Sequence, residues 1–182
     1  MQTETVLIMP SYHQILLQDP GGWNYQDAPI PQPEPGKPYA TVMAWADPTI
    51  PGSLYLSTAS DIAKVWVTIT VEDDTSSPPP HWLVVGAELA LTTMMEFFPL
   101  PPNEYLRLMA PAGDGAEFRT IVVEPGFYTV KVLVAGREQA RQAQDLAHTV
   151  DPEGNYAPHE PGMASILMPY EHFWIVLNRK LE

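Results

Sequence analysis

Hydrophobic and polar residues alternate along most of this chain with a period of two, the signature of half-buried strands. The clearest case is residues 64–72, KVWVTITVE, where Val65, Val67, Ile69 and Val71 share one face and Trp66, Thr68 and Thr70 the other. Nearly every side chain there is β-branched or aromatic, the types that pack well on a pleated surface. Residues 122–136, VVEPGFYTVKVLVAG, repeat the pattern: Tyr128, Val130, Val132 and Val134 alternate against Thr129 and Lys131, behind Pro125-Gly126. Proline presets the first corner of a turn and glycine supplies the positive φ of a type II second corner, so this stretch predicts a hairpin.

Further strands are predicted over residues 5–9, 12–18, 39–46, 53–57, 104–109, 117–123 and 171–178. Pro10-Ser11 breaks the first two, and in 12–18 His13 alternates onto the more apolar face with Ile15 and Leu17, which makes it a core-facing histidine. In the last strand Phe173, Ile175 and Leu177 oppose His172, Trp174 and Val176. Residues 81–93 fit a strand, with Gly86 at a bulge, although 87–95 would also tolerate a helix; the strand is preferred. One stretch leaves the period of two. Residues 137–148, REQARQAQDLAH, are strong helix formers that follow Gly136, with mostly alanine at the apolar positions, so this helix packs thinly across one end of the sheets. Eight to ten short strands, frequent Pro/Gly turns and one inserted helix (Arg137 to His148) predict an antiparallel β-sandwich, with a closed barrel as the alternative.

Composition sharpens this picture. A chain of 182 residues, 45% hydrophobic and 17% charged, is expected to form one folded domain. Its 21 prolines gather between the apolar runs, above all in a long loop over 22–38 that carries Trp23 and Tyr25. A second long loop, 150–162, completes a helix-and-loop insert over 137–162. Loops of this length in a compact domain are either functional or disordered. The formal charge is −13, from 22 acidic and nine basic residues. Such a field repels phosphate backbones and anionic membranes and attracts a basic partner, although solubility alone is its ordinary use. There is no cysteine, hence no disulfide, thiolate nucleophile or Cys-based zinc site. The opening MQTETVLIMP lacks a signal peptide's basic start, and no window approaches the ~18 apolar residues of a membrane span, so a cytoplasmic protein is expected.

Candidate chemistry is sparse. His81 opens an apolar stretch after three prolines, where a surface histidine is the ordinary reading. His148, Asp151 and His159 share one helix-end and loop region and are the candidate metal ligands, but their spacing matches no compact motif such as HExxH. Glu171 and His172 are adjacent, so in a strand they point to opposite faces and cannot serve one ion or relay one proton. Glu72-Asp73-Asp74 lacks the alternating acids, glycine and distal glutamate of a calcium loop, and reads as a solvated strand end. No serine sits in a GxSxG elbow, and Gly113-Asp114-Gly115 lacks the lysine and Ser/Thr of a phosphate loop. No cofactor is indicated, and catalysis is the less favoured reading.

Two features rise above this background: the acidity, and the aromatic side chains Trp23, Tyr25, Trp45, Tyr55, Trp66 and Trp174 on outer strand faces and loops. Exposed aromatics are common anchors for partners. Trp66 and Trp174 are expected to be buried, because large exposed apolar patches are rare; Trp23, Tyr25, Glu72, Asp73 and Asp74 are the candidate contact residues. The opening Tyr12-His13-Gln14-Ile15-Leu16-Leu17-Gln18-Asp19 resembles the Tyr-x-Gln-apolar-apolar start of the competence protein J-like family. Pro125-Gly126-Phe127-Tyr128 is similar to that family's Pro-Gly-x-Tyr hairpin, and the aromatic last strand is alike in style. The resemblance covers about a quarter of the chain and does not extend to the 22–38 loop or the 137–148 helix. It implies a small acidic β-sandwich that binds and inhibits a DNA-entry nuclease. The leading expectation is thus a non-enzymatic acidic sandwich that binds a basic protein. A small-molecule or carbohydrate module, whose tryptophans would line one concave site, and a metal-dependent hydrolase are the alternatives.

Overall fold

The chain, seen in a computed structural model, is described here over residues 2–20, 43–46, 51–73, 86–99, 105–110, 118–156 and 162–180. These hold ten strands: β1 (Gln2–Ile8), β2 (Gln14–Gln18), β3 (Ala44–Ala46), β4 (Ser53–Ser57), β5 (Val65–Asp73), β6 (Glu88–Phe97), β7 (Tyr105–Met109), β8 (Phe118–Val122), β9 (Gly126–Ala135) and β10 (His172–Arg179). Helix α1 (Arg137–Val150) and the single turn α2 (Met163–Ile166) lie between β9 and β10. The strands form two five-stranded sheets, ordered β1-β5-β10-β9-β6 and β3-β4-β2-β7-β8. The alternation is realised in a shared core. Val65, Val67 and Ile69 of β5, Val130, Val132 and Val134 of β9 and Phe173, Ile175 and Leu177 of β10 meet Ile15, Leu17, Leu54, Leu56, Leu106 and Leu108 of the second sheet.

The sandwich departs from the sequence expectation in four places. Residues 122–136 are not a hairpin: β8 pairs with β7 in the second sheet, whereas β9 pairs with β6 and β10 in the first. Pro125-Gly126 therefore carries the chain across the sandwich. The Tyr128 hydroxyl donates to the Glu124 carbonyl at 2.6 Å, and Arg179 binds both the Glu124 carboxylate and the Pro125 carbonyl. This is the bonding pattern of a tyrosine corner, where a buried ring pins an inter-sheet crossing. Second, the first sheet is mixed, because β10 runs parallel to β5 and antiparallel to β9. Parallel neighbours need a long crossover, and such a connection is invisible to local periodicity. Third, β6 is a strand, but it begins at Glu88 and slips register between Leu89 and Leu91; residues 81–85 lie outside the described set. Fourth, β2 begins only at Gln14, so His13 is not a core residue.

Both ends of β2 are fastened. At its C-terminal end the Asp19 carboxylate accepts the Phe98 N–H at 2.6 Å, and the Asp19 N–H donates to the Gly52 carbonyl at 2.9 Å. A Cβ on Gly52 would lie 2.8 Å from that of Asp19, so the close approach requires glycine. The N-terminal end, with the start of β10 and the close of β9, carries the candidate site.

Candidate functional site at the α1 end of the sandwich

Helix α1 leaves β9 through Gly136, whose φ of 76° and position leave no room for a side chain: a Cβ there would lie 1.9 Å from the Tyr170 carbonyl oxygen. That approach sets Arg137 opposite Glu171, the residue before β10. The Arg137 guanidinium donates to Glu171 at 2.7 Å and to the Ser57 carbonyl, and the second Glu171 oxygen accepts the Ala59 N–H at 2.8 Å. The two side chains are 10% and 1% exposed. One ion pair thus ties α1 and the first sheet to the 57–59 segment that leaves β4. Burial raises the Glu171 carboxyl to about 7 against the opposing pull of Arg137 and the Ala59 N–H, and burial likewise lowers Arg137. Buried pairs of this kind contribute positioning more dependably than net stability.

Beyond the brace lies a turn. Ser11 and Gln14 exchange both backbone hydrogen bonds, at 3.1 and 2.9 Å, around Tyr12 and His13, whose φ angles are 49° and 61°. Two central residues at positive φ define a type I′ turn, a geometry dominated by Asn-Gly and unfavourable for bulky side chains. His13 is held in place. Its carbonyl accepts the Thr58 N–H at 2.8 Å, its Nδ1 lies 3.2 Å from the Thr58 carbonyl, and its Nε2 lies 3.5 Å from the Asp61 carboxylate. Tyr12 is left 76% exposed, the most exposed large hydrophobic residue among those described.

Asp61 joins this turn to the helix. Its N–H donates to the Gln144 side chain of α1 at 3.1 Å. The Tyr156 hydroxyl meets His148, and the Tyr156 N–H donates to the Asp151 carboxylate at 2.9 Å. Loss of solvation and then the charges of Asp151 and Asp61 raise the Tyr156 phenol above its ordinary value. The rim therefore gathers Tyr12, His13, Asp61, His148, Asp151 and Tyr156, with Asp145 and Glu153 exposed beside it.

Of the expected metal ligands, His148 and Asp151 do meet at the helix end, through Tyr156, while His159 lies outside the described residues. Among the described residues no group of three or more His, Cys, Asp or Glu side chains is placed to hold a metal ion. His172 turns to the opposite face from Glu171, accepting or donating at 2.8 Å to the Thr68 hydroxyl and stacking on Trp174 at 4.0 Å; burial lowers it to about 4. Among the described residues the tryptophans are divided between the two sheets, with Trp66 and Trp174 on one face of the first, beside His172. Trp174 is buried at 6%, but Trp66 is 36% exposed on the same sheet, contrary to expectation, and Trp45 stacks on Tyr55 in the other sheet at 5.1 Å. Trp23, Tyr25, Asp74 and His81 lie outside the described residues, as does the side chain of Asp73. Glu72 is only 8% exposed, because β5 continues through it to Asp73 instead of ending in a solvated turn.

The Tyr12-His13 turn and its Asp61 contact carry no clear sequence signal. The Pro10-Ser11 break was the one local hint, and Asn or Gly, the residues that mark such a turn, are absent from it.

No protein-family model matches the chain, and no curated protein matches it in sequence. Two solved structures are similar. ComJ from Bacillus subtilis, described as an inhibitor of the DNA-degrading activity of NucA, superposes with a TM-score of 0.55 at 10% identity, over 97% of this chain and 96% of its own. The product of crocagin biosynthetic gene J has a TM-score of 0.44 at 15% identity, over 97% and 98% of the two chains. The first similarity gives this chain a ComJ-like fold. Among the described residues no helix is long and apolar enough to cross a membrane.

Proposed function

We propose that this protein is a non-enzymatic binder and inhibitor of a basic, DNA-degrading protein, which it engages through the acidic rim at the α1 end. The observation that carries the proposal is the charge of that rim. Over residues 58–64 and 138–156, Arg141 is paired with Glu138, which leaves four acids, Asp61 (beside His13), Asp145, Asp151 and Glu153, against one Lys or Arg, Lys64. The C-terminal end of α1 adds the partial negative charge of its carbonyls; His148 lies in its last turn, and Asp145, the C-cap Asp151 and Glu153 add negative charge around it. That local excess of negative charge suits an external cationic partner.

The fold shared with a nuclease inhibitor supports the same reading, as does the net charge of −13, which speeds association with a basic surface. Trp23 and Tyr25 of the proline-rich segment, with Asp73 at the end of β5 and Asp74 next in sequence, are proposed as secondary contacts; the buried Glu72 offers little surface. A cytoplasmic setting belongs to the proposal, since a cysteine-free chain relies on no oxidising compartment. The test is affinity capture from the source organism's lysate, washed at low and then high salt and scored for DNA degradation. A basic, DNA-degrading protein retained at low salt and released at high salt is expected, because screening weakens exposed charge pairs. Retention of no such activity would refute the proposal.

A further inference from the structure

We infer that Tyr12 is the anchor of this interaction, a ring held out on a strained turn to receive an arginine side chain of the basic partner. The inference rests on the proposed partner-binding function and specifies where its binding energy is concentrated. Tyrosine at φ 49° followed by histidine at φ 61° is a costly choice for a two-residue turn, which Asn or Gly would form with little strain. Such backbone strain persists where surrounding structure over-determines it, and it gathers at functional sites. Both conditions hold here. The Ser11–Gln14 bonds close the turn, and Thr58 and Asp61 clamp His13, so the fold enforces the conformation. Yet Tyr12 itself is 76% exposed, so burial gives nothing back for the strain.

What the turn achieves is presentation. Tyrosine is a low-entropy contact residue enriched at interface hot spots, and its ring face attracts a guanidinium. Asp61, half-buried, donates its N–H to Gln144 and lies with its carboxylate 3.5 Å from the turn's His13 Nε2, so it supplies beside the turn the carboxylate that a guanidinium binds most strongly. A flat cation over the ring and beside that carboxylate matches arginine better than lysine, which offers a point charge and no planar fork.

The experiment uses the full-length chain and the DNA-degrading activity of the source organism's lysate as the probe. Tyr12→Asn keeps the His13 clamps, removes the ring and suits the left-handed conformation, whereas Tyr12→Phe keeps the ring. For Tyr12→Asn the expected results are a melting temperature raised by about 2–4 °C and at least a tenfold loss of inhibition, with Tyr12→Phe inhibiting within about threefold of the wild type. Tyr12→Asn inhibiting as well as wild type would overturn the anchor while leaving the partner-binding function intact. A lowered melting temperature for Tyr12→Asn would make Tyr12 a structural residue and overturn it too. A wild-type chain without any inhibitory effect would overturn both.

Discussion

Glu171 and His172 stand next to each other in sequence and titrate in opposite senses, because each is buried in a different place. Glu171 faces the inter-sheet brace with Arg137, and desolvation lifts it from 4.5 to about 7; His172 faces Thr68 and Trp174 on the outer side, and desolvation drops it from 6.5 to about 4. Between pH 4.5 and 7 the folded protein holds the Glu171 proton more tightly than the unfolded chain does, so this group's contribution to stability is lost as pH rises through that window. His172 acts in reverse: below pH 6.5 the unfolded chain takes up its proton while the folded state resists, so stability is lost as pH falls toward 4. The two are separable by variants compared with wild type across pH by thermal denaturation. Glu171→Gln is expected to gain melting temperature relative to wild type as pH rises from 4.5 to 7, and His172→Gln to gain relative to wild type as pH falls from 6.5 to 4. Differences that stay flat with pH would contradict both assignments.

The crossing from β8 to β9 shows what an element owes to one hydroxyl. Tyr128 is fully buried with its ring tilted against Phe97 at 5.6 Å, and its hydroxyl binds the Glu124 carbonyl. Tyr128→Phe keeps the packing and removes that bond, so it is expected to cost about 1–2 kcal/mol in urea denaturation, without loss of the fold. A neutral result would mean that Arg179 and the flanking strands hold the arch unaided. The strands themselves were legible from alternation, as the core faces of β5, β9 and β10 attest. What alternation does not encode is partnership. The same Pro-Gly-Phe-Tyr pattern serves a hairpin or an inter-sheet arch, and only the choice of β7 and β6 as neighbours, made by long-range packing, decides between them. The site was less legible for a related reason. Residues 12–18 alternate cleanly, which hides a turn at Tyr12-His13 that lacks turn residues, and the brace joins Arg137 to a glutamate 34 positions away. The helix was readable because its alanine-rich face breaks the strand period, and Ala140 and Ala147 are indeed the positions it buries.

At the scale of the molecule, the two described ends of the sandwich are unequal. The Asp19 end is closed by the Asp19 carboxylate on the Phe98 N–H and by the Asp19 N–H on the Gly52 carbonyl. The α1 end instead gathers a strained aromatic turn, several carboxylates and a helix C-terminus in one place. On the proposed account that surface is specialised for a basic enzyme. The most direct measurement is a titration of this protein into the source organism's DNA-degrading activity, followed by degradation of a labelled duplex at about 0.05 and 0.5 M salt. The predicted result is saturable inhibition at low salt that weakens at least tenfold at high salt, as screening removes the attraction between an acidic inhibitor and a basic enzyme. DNA degradation that proceeds unchanged at every concentration of this protein would contradict the proposed function.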